Sequence, residues 1–313
     1  MRIIVTGASG FVGRAAVNRL LQAGHEVLAV TRREKSCPAP VRVVGNIGSR
    51  TNWNGVLDSA DCVVHLAAKV HARHEHDVEA YREVNTRGTL RLAERAATAG
   101  VRRFVFLSTA KVLGESSGER PFDDATPPAP VDAYAISKYE AEAGLQALAA
   151  RTGMEVCILR PPLVYGPGVQ ANFLRLVQWV DRGVPLPLAA VRNRRSLLAL
   201  ENLVDAIVRC LEHPRAAGQS FLVADNEALS TPDLIRRIAA AMNRPVRLFG
   251  VPPAWLRLAA RLAGRSDEIA RLLGNFHVEG RRIRTLIDWT PPRTADDALA
   301  QTVAWYRELT AGR

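Results

Sequence analysis

The sequence predicts an α/β fold: a doubly wound parallel sheet with a smaller, mostly helical lobe toward the C-terminus. Three observations predict it. A short β-branched run at residues 3–5 ends in a glycine turn and passes into an apolar helical pattern over residues 11–21. Strand and helix patterns then alternate as far as Arg160 with short loops between them, as βα units do in a parallel sheet. Beyond Arg160 the chain turns to Pro- and Gly-rich crossings and proline-broken helices.

Residues 3–5 read as the first strand, Gly7-x-x-Gly10-x-x-Gly13 as the turn, and residues 14–23 as a helix that Gly24 ends. Strands follow at 25–30, 41–44 and 62–66, then a long helix over 78–99 stopped by Gly100. A fifth strand at 103–107, a helix over 134–151 closed by Gly153, and a sixth strand at 155–160 complete the repeat. Pro161, Pro162, Gly166, Pro167 and Gly168 mark an irregular crossing, followed by a helix at 173–182 and a Pro-containing loop at 184–188. Residues 197–212 read as a strand entering a helix, 221–224 as a strand returning to the sheet, and the chain from Thr231 as mainly helical. The expected domains are 1–164 with 197–224 for the sheet, and 165–196 with 225–313 for a lobe over its carboxyl edge, where open α/β folds bind ligands.

Composition narrows the function. At 313 residues the chain can bury a full core, and no apolar run is long enough to span a membrane. The N-terminus starts a strand and lacks the pattern of a secretory signal, so a cytoplasmic location is expected. Cys37, Cys62, Cys157 and Cys210 are scattered without metal-ligand spacing, which predicts reduced thiols and no metal. The net charge is +11, but the basic residues are spread along the chain without interleaved aromatics. That argues against nucleic acid as a partner and suits an anionic small substrate.

The glycine turn can bring backbone N–H groups and the positive end of a helix to a pyrophosphate. Gly7, Gly10, Phe11, Val12 and Gly13 are therefore candidate dinucleotide contacts. The second strand ends in Thr31-Arg32-Arg33, where an NAD site usually offers Asp or Glu to the adenosine ribose. Guanidinium groups there can hold a 2′-phosphate, so NADP(H) is expected to be preferred, with NAD(H) possible. Asn46 and Ile47 after the third strand are candidates beside adenine. Leu66, Ala67 and Ala68 after the fourth allow close backbone approach, and Asn85 and Pro161 are further cofactor candidates.

Tyr134-Ala-Ile-Ser-Lys138 places two side chains on one helical face. A free phenol is a poor acid or base near neutrality, and an adjacent ammonium lowers its pKa. The chain has only four lysines, at 35, 69, 111 and 138. Ser108 and Thr109, at the end of the fifth strand, are both candidates to hydrogen-bond the reacting oxygen.

Together, Gly7-x-x-Gly10-x-x-Gly13, Ser108-Thr109, Tyr134-x-x-x-Lys138 and Arg160-Pro-Pro-Leu-Val-Tyr-Gly-Pro-Gly168 resemble the extended short-chain dehydrogenase/reductase family, in its nucleotide-sugar (NAD-dependent epimerase/dehydratase) branch. The resemblance covers nearly the whole chain and implies a Rossmann sheet. It selects Thr109 as the catalytic hydroxyl, with Tyr134 and Lys138 as its partners. Ala110-Lys111 stands where dehydratases of the family carry Asp-Glu, and no Cys follows Thr109 as in the 3,5-epimerase/reductase type. Leu163 stands where UDP-galactose 4-epimerases usually have Asn. Lys111-Val-Leu-Gly-Glu115 and the stretch from Asn193 to Asp205 look most like reductases that convert a UDP-4-keto-6-deoxy-N-acetylhexosamine to UDP-N-acetylquinovosamine. The resemblance thus implies an NADPH-dependent 4-keto reductase making surface-polysaccharide precursors. An NAD-dependent UDP-hexose 4-epimerase is the alternative reading, and a non-catalytic cofactor-sensing protein a third. It also implies substrate contacts at Lys111, Asn172, Leu186 and Arg195, with Arg192, Arg194, Arg281 and Arg282 as weaker candidates. A homodimer is implied through the helix bearing Tyr134 and the one before it, where Ala141, Ala143 and Gly144 permit close packing. His71, His74 and His76 suggest a polar lid rather than a metal site, and the apolar, basic stretch 253–273 a helix packed on the lobe, with membrane-surface binding as the lesser alternative.

Overall fold

The computed structural model describes residues 1–70, 78–264 and 266–311; the three histidines of the suggested lid lie outside them. Strands β1 (Arg2–Thr6), β2 (Glu26–Thr31), β3 (Val41–Val43), β4 (Cys62–His65), β5 (Arg103–Leu107) and β6 (Glu155–Arg160) are followed in the chain by β7 (Leu163–Tyr165), β8 (Arg195–Ala199), β9 (Ser220–Leu222) and β10 (Ala228–Leu229). The main sheet runs β3-β2-β1-β4-β5-β6-β9, and every pairing in it is parallel. The strand order reverses between β1 and β4, so the ligand crevice of a doubly wound sheet falls at their carboxyl ends.

Helices α1 (Phe11–Gln22), α2 (Val78–Tyr81), α3 (Gly88–Thr98), α4 (Ala133–Thr152), α5 (Ala171–Asp181) and α6 (Leu200–Glu212) are joined by the C-terminal α7 (Thr231–Ala241), α8 (Pro253–Leu262), α9 (Ser266–Leu273), α10 (Arg281–Ile287) and α11 (Ala295–Ala311). Near-continuous apolar strands such as Ile3-Ile4-Val5 and Phe104-Val105-Phe106 are buried on both faces of the sheet, as a parallel sheet between helical layers requires. One core lies under α1 and α6, and a second under α3 and α4. A third joins Tyr165, Phe173, Val177, Ile235, Leu299 and their neighbours beyond the sheet's carboxyl edge.

The structure corrects the expected elements in several places. The single helix over 78–99 is α2 and α3 joined by a π-helical turn, Arg82–Arg87. Gly88 follows that turn, where an added Cβ would lie 2.7 Å from Ile47 Cγ2, so the glycine lets the helix seat against the loop after β3. The strand expected at the start of 197–212 is β8, and it lies in a small sheet, β10-β8-β7, whose other two strands are too short, at two and three residues, to show a pattern in the sequence. Gly144 was expected to serve contact between two chains. An added Cβ there would meet Leu90 Cδ2 at 2.5 Å, so it serves α3–α4 packing within one chain.

Candidate functional site

Three strand ends meet at the carboxyl edge. After β1, Gly7 adopts φ +68°, and a Cβ on it would lie 2.7 Å from Ala67 N. The glycine turn therefore touches the backbone that leaves β4. At Gly13 a Cβ would lie 2.1 Å from Gly7 O, so α1 can start against the turn only with glycine there. The α1 N-cap, Gly10, gives no side-chain acceptor, and no acidic residue lies in the first turn. The helix's first N–H groups are left to a ligand, which is the donor set and close backbone approach a dinucleotide pyrophosphate needs. Phe11 and Val12 begin that helix, and Arg32 and Arg33 lie exposed just past β2. Among the described residues neither arginine has an ion-pair partner. Asn46 is exposed after β3, while Ile47 packs against the second core.

His65 ends β4, and sequence reasoning missed its part. It is fully buried. Thr89 Oγ1 donates to Asn85 O at 2.6 Å and so accepts from His65 Nε2–H at 2.9 Å. That fixes Nδ1 as the acceptor from Thr6 Oγ1 at 2.6 Å, and Thr6 Oγ1 in turn accepts from Ala67 N at 3.4 Å. The imidazole is held neutral. Burial, with the nearby Lys138 charge, lowers its pKa to about 3. This directed chain ties β1, β4 and α3 beneath Leu66, Ala67 and Ala68. The only signal in the sequence was a histidine inside an apolar strand.

Asn85, expected beside the cofactor, is fully buried and holds protein partners on both ends of its amide. Its Oδ1 accepts from Lys69 N at 2.8 Å, and its Nδ2 donates to Lys69 O and Ser137 Oγ, each at 3.0 Å. Ser137 Oγ donates to Tyr134 O at 2.7 Å. Asn85 thus links the segment after β4 to the helix that bears Tyr134, and both its N–H groups are used within the protein.

Asp132 caps α4, its Oδ1 accepting from Ala135 N at 2.7 Å. Tyr134, Lys138 and Glu142 follow at four-residue spacing along one helical face. The Tyr134 ring meets Tyr81 edge-on at 6.4 Å. Burial raises the Tyr134 pKa above that of a free phenol, and the Asp132 charge and Tyr81 add to the rise. Lys138 is 2% exposed, with Nζ 4.1 Å from the centroid of the Phe106 ring. Burial lowers its pKa to about 7 against the opposing pull of Glu142. Glu142 is itself buried and paired with Arg160 at 2.5 Å. The expectation that Lys138 acidifies Tyr134 is therefore corrected for the ligand-free chain: the ammonium sits over an aromatic face, and burial governs the phenol.

Ser108 and Thr109 leave β5 beside these groups. Ser108 N donates to Leu159 O and Ala110 N to Pro161 O, both at 2.8 Å, which fastens the turn to the end of β6. Thr109 Oγ1 accepts from Lys111 N at 3.3 Å, which leaves its own proton free to donate. Ser108 Oγ is buried with no partner among the described residues. It is a second hydroxyl at the same strand end.

The candidate substrate residues are more dispersed. Lys111 Nζ is held by Asp132 and, at 2.8 Å, by Glu115, so its charge is spent within the protein. Arg195 Nη1 donates to the carbonyls of Arg271 at 2.5 Å and Gly274 at 3.2 Å, around the end of α9. Leu186 is buried; its N donates to Arg247 O at 2.8 Å and its O accepts from Phe249 N at 3.1 Å. Asn172 is exposed at the start of α5. Among the described residues no group of His, Cys, Asp and Glu could hold a metal ion, and no helix is long and apolar enough to cross a membrane.

A doubly wound sheet with a glycine turn at its switch point, and a Tyr-Lys face one strand away, defines a dinucleotide-dependent enzyme of the short-chain dehydrogenase/reductase type. Residues 3–224 match the model of the NAD dependent epimerase/dehydratase family, and the chain belongs to that family. A UDP-glucose 4-epimerase of Vibrio cholerae is 40% identical over 96% of this chain and 94% of its own. A 3-beta-hydroxysteroid dehydrogenase of Mycolicibacterium neoaurum is 27% identical over 98% of this chain and 92% of its own. In fold, the chain is similar to the UDP-glucuronic acid 4-epimerase of Bacillus cereus crystallised with NAD, with a TM-score of 0.80 and 21% identity over 99% of each chain.

Proposed function

We propose that the protein interconverts the C4 epimers of a UDP-hexose. The observation that carries this reading is the near-full-length 40% identity to a protein named UDP-glucose 4-epimerase. It reverses the order drawn from the sequence, where 4-keto reduction came first.

The residues that would hold the dinucleotide are Gly7, Gly10, Phe11, Val12 and Gly13 at the pyrophosphate, with Leu66, Ala67 and Ala68 along the opposite wall. Bound there, the dinucleotide supplies a hydride acceptor and donor, and a positive charge in its oxidised form. Tyr134 moves the proton at the sugar's C4 oxygen, removing it as the ketone forms and returning it when the alcohol is remade. Thr109 donates its free hydroxyl proton to the same oxygen. Lys138 contributes a positive charge close to neutrality. Incubation with UDP-glucose or its N-acetylated counterpart, with the product's C4 configuration read by NMR, tests the reading. Epimer formation without added cofactor, and NAD released on heat denaturation, are expected. No epimer from any UDP-hexose overturns it.

Arg32 and Arg33 favour a second reading: NADPH-dependent reduction of a UDP-4-keto-6-deoxy-hexosamine. Stoichiometric NADPH consumption with a 4-keto sugar and no bound NAD would select it. A homodimer through α4 belongs to either reading, with Tyr139 and Ala143 exposed on that helix; sedimentation equilibrium measures it.

A further inference from the structure

Helix α8 carries an apolar ridge that the fold leaves uncovered. Trp255 is 65% exposed, Leu258 48% and Leu262 83%. Their spacing of three and four residues puts them on one face along about 10 Å of helix. The opposite face is the one that packs, through Leu256 against the lobe core and Ala260, which is buried. The expectation of a helix simply packed on the lobe is therefore half met. Arg257 and Arg261 are exposed to one side of the ridge, and neither has an ion-pair partner among the described residues. The surrounding sequence is one-sided in charge. Between Asp233 and Asp267 there is no carboxylate and there are seven arginines, in a chain of net charge +11.

A soluble surface rarely leaves a Trp and two Leu in line without an occupant. The charge beside them selects which occupant. An apolar ridge with arginines beside it, on a helix that carries no acidic residue of its own, has the composition of a helix that lies in a membrane interface. Trp is suited to that depth, and arginine to the headgroup phosphates. A second copy of this chain would bring the same arginines against themselves. We propose that α8 docks the protein peripherally on an anionic lipid surface, with Trp255, Leu258 and Leu262 entering the headgroup boundary and Arg257 and Arg261 pairing with lipid phosphates. This docking does not depend on which reaction the enzyme catalyses.

Co-sedimentation of the full chain with vesicles tests it, using phosphatidylcholine alone and phosphatidylcholine with about a third phosphatidylglycerol. We expect the protein to pellet at least ~fivefold more with the anionic vesicles in low salt, and to be released by high salt. The Trp255 fluorescence should shift to the blue and be quenched by brominated lipid, signals that W255F removes. The W255S/L258S/L262S and R257E/R261E variants should each lose vesicle binding with unchanged Tm and circular dichroism. Three results overturn the proposal: no pelleting with anionic vesicles, pelleting that survives both variants, or a dimer that the triple variant turns into a monomer without any lipid binding. The double variant leaves the apolar ridge intact, so it decides the matter should the triple variant fold poorly.

Discussion

Lys138, proposed above to serve the chemistry, is buried at the expense of stability. Its folded pKa is lowered from that of a free lysine to about 7 by burial. An unfolded lysine stays protonated up to about pH 10.5, so the folded chain binds fewer protons between those values. Stability from this group is present above pH 10.5 and is lost as pH falls toward 7. Lys138→Met keeps volume and removes the buried charge. It should raise folding stability by on the order of 2 kcal/mol at pH 6–7, with the gain vanishing near pH 10.5, while turnover is abolished; urea melts across pH measure the first effect and an epimerase assay the second. Tyr134 should answer to its neighbours in the opposite sense. Asp132 raises the phenol's pKa, and Lys111 sits against Asp132. Asp132→Asn retains a capping oxygen and should move the Tyr134 limb of the pH–rate profile to lower pH. Lys111→Met should move it to higher pH, with KM for the sugar little changed. Tyr134→Phe is the control: it should lose about a thousandfold or more in turnover while retaining the dinucleotide.

At the scale of elements, the site depends on how tightly β1, β4 and α3 are tied through His65. The imidazole holds out against protonation to about pH 3, whereas an unfolded histidine takes up a proton near pH 6.5. Its contribution is therefore present above pH 6.5 and is lost as pH falls toward 3, at about 1.4 kcal/mol per pH unit in that window. Replacing His65 with Gln should lower stability at pH 7 and flatten this part of the curve of unfolding free energy against pH; equal slopes for the two proteins would show that the ring is not held neutral. The sequence made the strand–turn–helix units legible because each carries its own pattern: β-branched runs, glycine stops and the Tyr-Lys spacing. It did not reveal that the helix bearing Asn85 changes to a π turn, nor that Gly88 after the turn meets Ile47 across the fold. The protein partners of Asn85, Lys111 and Arg195 were hidden in the same way. Each has the chemistry to meet a ligand, and only the tertiary structure shows which protein groups it also meets.

At the scale of the whole molecule, the sheet and the C-terminal lobe are joined by a buried carboxylate that no local pattern announces. Asp225 follows β9 and lies beneath the N-terminus of α6. It accepts from Ala199 N at 3.1 Å, Asn202 Nδ2 at 2.7 Å and Tyr165 OH at 3.2 Å. Asn202 in turn exchanges hydrogen bonds with the backbone of Arg293, ahead of α11. One carboxylate therefore gathers β7, β8, α6 and the approach to the last helix, and Tyr165 belongs to the lobe core. Burial raises the Asp225 pKa, and the three donors resist that rise. No cation is needed, because the helix N-terminus and the donors carry the compensation. Asp225→Ala would leave the Ala199 amide and an Asn202 side-chain N–H unpaired in the interior, and the Tyr165 hydroxyl with only the long contact to Ala295 O at 3.5 Å. It should cost about 3 kcal/mol or more, and the loss should fall on the joint between sheet and lobe. Asp225→Asn, which keeps an acceptor of the same shape, should cost less than half as much. Hydrogen exchange reads the location: protection should fall first at β7, β8 and the start of α6, with β1 to β6 holding longer. Because the lobe carries the expected sugar contacts and the sheet the dinucleotide turn, KM for the UDP-sugar should rise in Asp225→Ala before dinucleotide retention changes. Uniform loss of protection across both parts would mean that the molecule unfolds as one unit and that Asp225 is not its joint.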